Sequence, residues 1–381
     1  MAGADGIILP GATLGILGGG QLGRMTAMAA RSLGYRVLAL DPDPSCPASF
    51  VVDTCFSASL DDAEAAAGLA RVCDVVTIEI EKVGIAAMQA AAEHAPVRPS
   101  AEVLRIIQHR ARQKDWLARN NFPVGPSRAV ASASELQQAA VDLGPLYVKA
   151  AQGGYDGRGQ ARLEEPSEAS QVWSFLGAEV CLAEKALDVA MEISVLAARR
   201  PDGQTLAFPP ALNHHENRIL DWSVIPAPID PSIAARASGI AVDAARALGV
   251  VGLLAVEMFV TRTGELLVNE LAPRPHNSYH SSERACATSQ FEQVVRAVCG
   301  LPLGSVEVVR PAAIINILGD LWQHHPHPRF EAALSLPGVR LHLYDKQVPK
   351  PGRKMGHLSA IAATPQEAVE LVKQAKRLLE R

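Results

Sequence analysis

The first hundred residues alternate between strand-like and helix-like segments, and this order constrains the fold more than any other feature of the sequence. An apolar run at Thr13–Leu17 is followed by a glycine-rich turn and then by a segment of helical composition. Apolar runs at 35–40 and 75–80 flank an alanine-rich helical segment at Ala63–Ala70. Strands that alternate with helices form a parallel sheet with covering helices. The sequence therefore predicts an α/β domain at residues 1–112.

Beyond residue 112 the spacing of apolar residues predicts short strands of a mainly antiparallel sheet. Runs at 180–183 and 192–197 alternate as neighbouring strands of such a sheet would. The runs at 252–260 and 265–271 predict a hairpin that turns near Thr263 and Gly264. The tail adds strand-like runs and a final helix, whose predicted start combines Thr364, Pro365 and Glu367 in a capping box.

Composition excludes several classes of protein. The 381 residues include 36 Lys and Arg against 40 Asp and Glu, and this net charge of −4 excludes a strongly basic protein that coats nucleic acid. No apolar run reaches the roughly 18–20 residues that cross a bilayer. Six cysteines are scattered without a C-x-x-C pair. We therefore expect reduced thiols in a cytoplasmic protein with no nucleic-acid or membrane partner.

The first motif with chemical meaning is a glycine turn at Gly18, Gly20 and Gly23, which Asp41 follows. Glycines permit a tight turn between a strand and a helix, and free N–H groups at the start of the helix can bind a phosphate. That phosphate could belong to a dinucleotide or to a sugar-phosphate substrate, and a purely structural turn would need the same glycines. The motif alone leaves these three alternatives open.

A second glycine-rich segment follows Lys149, which ends a predicted strand. Four glycines lie within residues 153–159. Such a loop leaves backbone amides free to close over a polyphosphate, and the lysine supplies a positive charge for the phosphate oxygens. The alternative is a flexible hairpin tip. Lys149 before the loop and Arg158 inside it favour an anion site.

Two glutamates, Glu257 and Glu270, interrupt the apolar strands of the predicted hairpin. If the strands pair, the two carboxylates can point to one face and meet. Two buried carboxylates repel each other and lose hydration, and a divalent cation such as Mg²⁺ removes that cost. Asn269 would add a neutral oxygen ligand or a phosphate contact. The alternative is a simple exposed hairpin edge.

Two further strings carry anion-binding side chains. The proline-containing loop after Glu270 offers Arg274, His276 and Asn277. A later Pro/Gly turn within residues 344–357 concentrates positive charge in a net acidic chain, and it is either a phosphate site or a solvated basic loop. Its basic residues of interest are Lys346, Arg353 and Lys354.

Together these motifs resemble the ATP-grasp superfamily, and most closely its 5-(carboxyamino)imidazole ribonucleotide synthase family. The matching strings follow the order of that family over nearly the whole chain. They are residues 19–25, Lys149 with 153–160, 213–217, 269–278, 288–292 and 344–357.

The resemblance implies an ATP-grasp fold of mixed α/β and α+β class, with an N-terminal parallel-sheet (Rossmann-like) domain and a small C-terminal subdomain. Residues 1–112 would bind substrate and residues 113–190 would form the lid of the grasp. Residues 191–307 would form its body with the metal site, and residues 308–381 would complete the substrate phosphate site.

The implied activity is ATP-dependent carboxylation of 5-aminoimidazole ribonucleotide by bicarbonate, through carboxyphosphate, by a cytoplasmic homodimeric ligase of purine biosynthesis. The implied cofactors are ATP and Mg²⁺, with Mn²⁺ as an alternative ion and Glu257 and Glu270 as the metal ligands. The residues that the resemblance places at the nucleotide are Arg110, Lys149, Gly154, Tyr155, Asp156, Gly157, Arg158, Gly159, Gln160, Glu184, Lys185, Ala186, Leu187, Glu192, His215, Asn269 and Glu270.

The ribonucleotide would lie between the N-terminal glycine turn and the basic C-terminal segment, so the first glycine motif would serve a substrate rather than NAD. Its implied contacts are Gly20, Gln21, Leu22, one of the two acids Glu79 and Glu81, Tyr155, Asp156, Arg158, Asn277, Lys346, Arg353 and Lys354. The candidate catalytic residues are Lys149, Arg274, His276 and Lys346.

Three alternative functions remain at this stage. A formate-using ribonucleotide transformylase would share the ATP motifs. A dehydrogenase would use NAD at the first glycine turn, and a regulator would bind the nucleotide without hydrolysis. The sequence also departs from the family at Tyr279 and Arg218, where small residues are usual, and at 77–81, which lacks the usual aromatic residues. If Tyr279 needs a positive φ, it would cost about 1–2 kcal/mol.

Overall fold

The computed structural model describes residues 6–153 and 159–380, and its first part is a parallel sheet covered by helices. The elements of this part are β1 (Thr13–Leu17), α1 (Gln21–Ser32), β2 (Arg36–Asp41), a 3₁₀ turn (Pro47–Phe50), β3 (Thr54–Ser57), α2 (Ala63–Ala70), β4 (Val75–Ile78), α3 (Ile85–Ala92) and α4 (Ala101–Ile107). The strands pair in parallel in the order β3-β2-β1-β4. Because both of its faces are covered, β1 is buried along its whole length. The prediction of an N-terminal α/β sheet is confirmed.

The second sheet is small and antiparallel. The elements of this part are α5 (Arg110–Arg119), β5 (Ser127–Val130), α6 (Ala133–Leu143), β6 (Leu146–Ala150), β7 (Gln160–Leu163), a 3₁₀ turn (Pro166–Glu168), α7 (Ala169–Leu176) and β8 (Cys181–Lys185). The strand order is β5-β8-β6-β7. Helices α6 and α7 pack against this sheet and bury Leu136 and Val172 against Val148. Helix α6 begins after Ser132, whose hydroxyl accepts the N–H of Glu135 at 3.2 Å.

The third sheet is large, and the C-terminal strands complete it. The strands of this part are β9 (Val189–Arg199), β10 (Thr205–Ala207), β11 (Ala211–Glu216), β12 (Ile219–Ile225), β13 (Gly252–Thr261), β14 (Leu266–Ala272), β15 (Ala312–Leu318), β16 (Val339–Leu343) and β17 (Lys354–Ile361). Their order is β14-β13-β9-β11-β12-β15-β17-β16, with β10 paired to β9. The pairing of β12 with β15 therefore joins the C-terminal strands to the body of the chain.

Helices and turns surround this large sheet. They are α8 (Pro231–Leu248), a 3₁₀ turn (Asn277–Tyr279), α9 (Ser282–Ala285), α10 (Gln290–Cys299), α11 (Asp320–His324), α12 (Phe330–Leu334) and α13 (Pro365–Leu379). The predicted capping box at the start of α13 is confirmed. The Thr364 hydroxyl accepts the Glu367 N–H at 3.2 Å, and the Glu367 carboxylate accepts the Thr364 N–H at 3.1 Å.

Two strand predictions were incomplete. The runs at 180–183 and 192–197, expected in one sheet, fall in β8 of the small sheet and β9 of the large one. The basic turn within 344–357 continues into β17, which pairs with β15 and β16. Periodicity identifies a strand but carries no information about its partners, which explains the first error. Basic residues at the start of β17 hid its apolar continuation.

The hairpin predicted between β13 and β14 is present, and it sets up the candidate site. The two strands pair antiparallel with Glu257 opposite Glu270, and a bulge lies between Glu257 and Met258. Among the described residues, no helix combines the length and the apolar character that a membrane crossing requires.

Candidate active site

The paired glutamates of the β13–β14 hairpin form a strongly coupled acidic site. Burial alone would raise the pKa of Glu257, but the hydrogen bond and charge of His276 outweigh burial and lower it. The His276 Nε2 atom lies 3.0 Å from Glu257 Oε1. For Glu270, burial and then the neighbouring Glu257 carboxylate raise the pKa. The second negative charge is therefore unfavourable in this site unless a cation arrives.

Lys149, at the end of β6, connects the small sheet to this hairpin. Its Nζ atom lies 2.6 Å from Glu184 Oε2 on β8 and donates to Asn269 Oδ1 on β14 at 3.3 Å. Burial would lower the pKa of Lys149, but the Glu184 and Glu270 carboxylates outweigh burial and raise it. The lysine is thus a fixed positive charge beside the acidic pair.

Lys114 on α5 is a functional neighbour that the sequence analysis missed. Its Nζ atom lies 2.8 Å from Glu184 Oε1 and donates to the Asn269 carbonyl oxygen at 2.8 Å. Burial would raise the pKa of Glu184, but Lys149 and Lys114 lower it to about 2. Helical spacing offered a clue, because Lys114 lies three residues before the buried Leu117 on the same face.

The glycine-rich loop is described only at its two ends. Arg110 donates from Nη1 to the carbonyl oxygens of Ala150 at 2.9 Å and Gly153 at 2.6 Å. On the other side, the N–H of Ala150 donates to the Gly159 carbonyl at 2.9 Å, and Gln160 pairs with Lys149. The predicted contacts that lie outside the described residues are Gly154, Tyr155, Asp156, Gly157 and Arg158.

The segment from Glu184 to Leu187 leaves β8 and passes into β9. The N–H of Lys185 donates to Pro126 O at 2.9 Å, and the N–H of Ala186 donates to Pro145 O at 2.8 Å. Gly125 packs against Leu187, because an added Cβ would lie 3.3 Å from Leu187 Cδ1. These contacts fix the connection between the small sheet and the large one.

Glu192 on β9 and His215 on β11 form an ion pair on the large sheet. His215 Nδ1 lies 2.7 Å from Glu192 Oε2. Burial would lower the pKa of His215, but Glu192 outweighs burial and raises it. Glu257 also contributes to this raised pKa, so the pair lies near the acidic hairpin.

A chain of side chains runs from Glu257 into the sheet. His276 Nδ1 and the Ser278 hydroxyl lie 2.7 Å apart, and Ser278 in turn lies 2.8 Å from the Ser194 hydroxyl. Gln290 fixes the His276 backbone, because its amide oxygen accepts the His276 N–H at 2.8 Å and its amide nitrogen donates to the His276 carbonyl at 3.0 Å. The side chain of His276 is therefore held by Glu257 and Ser278, and its backbone is held by Gln290.

Arg274 lies between the acidic hairpin and the N-terminal sheet. Its Nε atom is 2.8 Å from Glu81 Oε1. Burial would lower the pKa of Arg274, but the carboxylates of Glu81, Glu79 and Glu270 outweigh it and raise the pKa. Three acids from two parts of the chain thus converge on one guanidinium.

Glu79 occupies the anion position of the first glycine turn. Its carboxylate accepts the N–H groups of Gly20 and Gly23, each at 2.8 Å. A Cβ on Gly20 would lie 2.5 Å from Glu79 Oε1, which explains the need for glycine. Asp41 accepts the N–H of Gly19 at 2.7 Å instead of facing a ribose. The chain's own carboxylates use these amides, so the dehydrogenase alternative loses its pyrophosphate site.

Two of the predicted ribonucleotide contacts, Lys346 and Gln21, meet although they are 325 positions apart in the sequence. Lys346 donates from Nζ to Gln21 Oε1 and to the Lys354 carbonyl, each at 2.6 Å. The side chain of Leu22 packs in the core with Phe291. Arg353 donates to the Val348 carbonyl at 2.9 Å.

Asn277 is buried, and neither its amide oxygen nor its amide nitrogen has a hydrogen-bond partner among the described residues. Buried polar groups of folded proteins are almost always paired, so this amide has hydrogen-bonding capacity left for a water molecule or a ligand. Asn277 follows His276 directly, which puts this amide at the edge of the acidic site.

Comparison with known proteins identifies the family. The ribonucleotide synthetase preATP-grasp domain matches residues 11–108, the ATP-grasp domain matches 115–291, and the phosphoribosylaminoimidazole carboxylase C-terminal domain matches 312–371. The N5-carboxyaminoimidazole ribonucleotide synthase of Bacillus subtilis is 42% identical over 357 residues, which cover 93% of this chain and 92% of the relative. The chain belongs to the N5-carboxyaminoimidazole ribonucleotide synthase family.

Solved structures of this family have the same fold. An N5-carboxyaminoimidazole ribonucleotide synthetase solved as its ADP complex superposes with a TM-score of 0.92 at 39% identity, covering 98% of this chain and 99% of that one. The Aspergillus clavatus enzyme, solved with ADP and 5-aminoimidazole ribonucleotide, has a TM-score of 0.89 at 32% identity, covering 97% and 99%. The predicted ATP-grasp fold, with its N-terminal parallel sheet and C-terminal subdomain, is confirmed, and the chain is an ATP-grasp ligase.

Two of the three departures expected from the family pattern, Tyr279 and Arg218, have different structural consequences. Tyr279 ends the 3₁₀ turn without a positive φ, and its hydroxyl lies 2.9 Å from the carbonyl oxygens of Ser194 and Pro209. The conditional strain at Tyr279 therefore does not arise. Arg218 has a φ of 68° beside Asn217 at 49°, in the two-residue turn between β11 and β12. Such a turn favours Gly and Asn, because both of its residues have a positive φ.

Proposed function

We propose that this chain uses ATP and bicarbonate to carboxylate the amino group of 5-aminoimidazole ribonucleotide. The products are 5-(carboxyamino)imidazole ribonucleotide, ADP and phosphate. The observation that carries this proposal is the convergence of Lys149, Asn269 and the Glu257–Glu270 pair, within a chain of this family. A family member solved with ADP and the ribonucleotide supports the same two ligands here.

The nucleotide would lie between the small sheet and the large one. In this proposal Lys149 and Arg110 bind its phosphates together with residues 153–160. The Glu184–Leu187 segment borders the base, and Glu192 accepts hydrogen bonds from the ribose hydroxyls. His215, 2.7 Å from Glu192, would orient that carboxylate. These roles are supported by the contacts of Lys149 with Glu184 and Asn269 and by the match of the residues to the family pattern.

The acidic pair fits Mg²⁺, with Mn²⁺ as an alternative ion. Glu257 and Glu270 supply carboxylate oxygens, Asn269 is adjacent, and burial and then the Glu257 carboxylate raise the pKa of Glu270. Hard divalent cations prefer such oxygen ligands. When bound, the ion would neutralise charge on the phosphates during transfer.

The chemistry that we propose has two steps. A bicarbonate oxygen attacks the γ-phosphorus, the bond to the ADP oxygen breaks, and carboxyphosphate forms. The ribonucleotide amine then attacks the carboxyl carbon, and phosphate leaves with the amine proton. Lys149 stabilises the charge that develops in the first step, and Arg274 and His276 hold the bicarbonate-derived group. The loop at 153–159 would exclude water, which hydrolyses carboxyphosphate.

The ribonucleotide would lie against the first glycine turn. Gln21 and Asn277 offer amide groups, while Lys346, Arg353 and Lys354 supply positive charge for the 5′-phosphate. Gln21 and Lys346 already lie 2.6 Å apart. Further contacts that we propose are Gly20, Leu22, Glu79 and Glu81, with Tyr155, Asp156 and Arg158 from the loop. Lys346 would also assist catalysis, because it would contact the substrate directly.

We further propose a cytoplasmic homodimer whose domains divide the work. Residues 1–112 would bind substrate, 113–190 would close over ATP, 191–307 would hold the metal, and 308–381 would complete the phosphate site. The scattered reduced cysteines support the cytoplasmic location, and the family pattern supports the dimer. Sedimentation of the purified chain at several concentrations would test the dimer.

The decisive experiment measures phosphate release from ATP with bicarbonate and 5-aminoimidazole ribonucleotide, present together or singly. We expect product only when both are present, and full activity only with Mg²⁺ or Mn²⁺. Formate in place of bicarbonate tests the transformylase alternative, and ATP binding without any release would indicate a regulator. Product formation with formate but not with bicarbonate would contradict the proposal.

A further inference from the structure

We propose that Glu283, His342 and His357 form a second metal site, for a Zn²⁺-class transition metal, built from residues other than the Glu257–Glu270 pair. One ligand atom from each of the three side chains lies within 4.8 Å of the other two. The three residues come from α9, β16 and β17, so an ion bound there would join three separate elements.

The sheet places the two histidines side by side. His342 lies directly opposite His357 in the antiparallel pairing of β16 with β17. Their ring centroids are 5.2 Å apart with an interplanar angle of 9°. Opposite residues of neighbouring strands point to the same face. Because the two rings are stacked, their nitrogen lone pairs run nearly parallel, and one ring must turn before both nitrogens can bind one ion.

Both histidines are in the protonation state that metal binding requires. Burial and then His342 lower the pKa of His357 to about 3, and burial and then Arg24 lower the pKa of His342. Both rings are therefore neutral at pH 7. The His357 Nδ1 atom lies 2.8 Å from the buried Tyr344 hydroxyl. If Nδ1–H donates to that oxygen, Nε2 keeps its lone pair, as metal-binding histidines commonly do.

The third ligand and the space around it allow the site to adjust. Tetrahedral Zn²⁺ holds its ligand atoms roughly 3.4 Å apart. The three ligand atoms now lie within 4.8 Å of one another, so they must move closer together when an ion binds. Glu283 is exposed and can move. Partial burial of its carboxyl raises the pKa of Glu283 to about 7, so the ion would displace a proton from it near neutral pH. A cavity of about 280 Å³ lies beside Glu283 and His342 and is also lined by Met25, Met28, Ser289 and Glu292. It has room for water as a fourth ligand.

The donor set selects the class of metal. Two imidazoles and one carboxylate suit Zn²⁺, Co²⁺ or Ni²⁺, whereas Mg²⁺ prefers oxygen ligands alone. The same strands continue to substrate-site residues, since Lys354 begins β17 and Lys346 follows β16. An ion on His342 and His357 would therefore also fix the segments that carry these lysines.

The test is a Co²⁺ titration of the purified full chain in excess Mg²⁺, followed by visible absorption and by counting bound equivalents. The variants are His342→Gln and Glu283→Gln, and the matched control is His324→Gln, at the end of α11. We expect the parent and the control to bind one more equivalent of Co²⁺ than either variant. Zn²⁺ should raise the melting temperature of the parent and the control but not that of the variants.

The difference between chains isolates this site, because ions bound at thiols or at the acidic pair are common to all of them. Circular dichroism checks that each variant is folded, and the exposed Glu283→Gln change keeps the test valid if His342→Gln is not. A folded Glu283→Gln variant that binds as many equivalents as the parent overturns the proposal. Loss of the same equivalent from the His324→Gln control overturns it as well.

Discussion

Glu184 and Glu270 both act on Lys149, yet the protein treats their charges in opposite ways. Glu184 lies between Lys149 at 2.6 Å and Lys114 at 2.8 Å, which lower its pKa to about 2 in spite of burial. Glu270 faces Glu257 across the hairpin, and burial and that neighbour raise its pKa. The chain compensates the first carboxylate fully and the second only in part, because Lys149, Arg110 and His276 do not outweigh burial and the Glu257 charge.

This difference separates a structural charge from a charge that we propose to be kept for a cation. Glu184 of the small sheet binds Lys149 and Lys114, and both lysines also donate to Asn269 of the large sheet. This buried acid therefore holds the small sheet, α5 and the large sheet together. A buried acid beside a second acid is unfavourable by itself and becomes favourable when a cation binds. Compensation within the chain, rather than burial, is therefore the criterion that distinguishes the two roles.

The largest expected effect tests the compensated side. Glu184→Gln leaves Lys114 and Lys149 buried with a neutral neighbour, and we expect the free energy of unfolding to fall by about 3–5 kcal/mol. Urea unfolding measures this loss, and Glu164→Gln, which removes an exposed acid, is the control. A loss no larger than that of the control would show that Glu184 is not structural.

The pH dependence of the same variant has a definite sign. Because the folded pKa of Glu184 is lowered from 4.5 to about 2, its stabilisation is fully present above pH 4.5 and disappears as the pH falls towards 2. The difference between the parent and Glu184→Gln should shrink across that range.

Removal of the shared lysine tests the catalytic side. Lys149→Ala should reduce phosphate release by about 10²–10³-fold, because one preorganised donor to the developing charge is lost. Glu184 keeps Lys114 as an ion-pair partner in this variant, so we expect circular dichroism to show an intact fold. The control Lys373→Ala removes a lysine of α13 and should keep full activity. Unchanged turnover in Lys149→Ala would remove this lysine from the mechanism.

Glu79 is a third buried acid, and backbone N–H groups of Gly20 and Gly23 rather than lysines compensate its charge. Gly20→Ala would put a Cβ 2.5 Å from Glu79 Oε1. Overpacking of this kind costs about 1–3 kcal/mol, and the amide contact to Glu79 would also weaken. Thermal unfolding measures the loss. The control is Gly68→Ala in α2, where the described residues place no atom within 4 Å of the added Cβ apart from the neighbouring residues and backbone of the helix itself. Equal melting temperatures would contradict the packing that we describe.

The smallest effect is expected at Glu270, whose charge the chain compensates only in part. Because the pKa of Glu270 is raised, protons compete with Mg²⁺ there, and the affinity for Mg²⁺ should fall by up to about tenfold per pH unit below that pKa. Calorimetric Mg²⁺ titrations at several pH values measure this slope. Glu270→Gln should flatten the slope, and an equally steep slope in that variant would assign the proton to another group.

Features that depend on near neighbours could be predicted from the sequence. The alternation of strands and helices gave the N-terminal sheet, the Thr364 capping box gave the start of α13, and two apolar runs gave the hairpin that pairs Glu257 with Glu270. Each of these depends on periodicity or on hydrogen bonds between residues a few positions apart. The family resemblance added the order of the motifs and the nucleotide cleft.

Other features required the assembled fold. Nothing around Glu79 indicates that its carboxylate fills the turn at Gly20 and Gly23, and nothing around Lys114 indicates Glu184 as its partner. The separation of β8 from β9 into two sheets was likewise hidden, because both strands have the same periodicity.

The sequence by itself determined which segments are strands and helices, and which residues can carry phosphate, metal and proton chemistry. Only the tertiary structure decided which of those charges are compensated by the chain. Lys346 meets Gln21 across 325 positions, and Lys149 meets Asn269 across 120. The physical reason is that compensation depends on distances of a few ångströms between side chains, and packing sets those distances independently of separation along the chain.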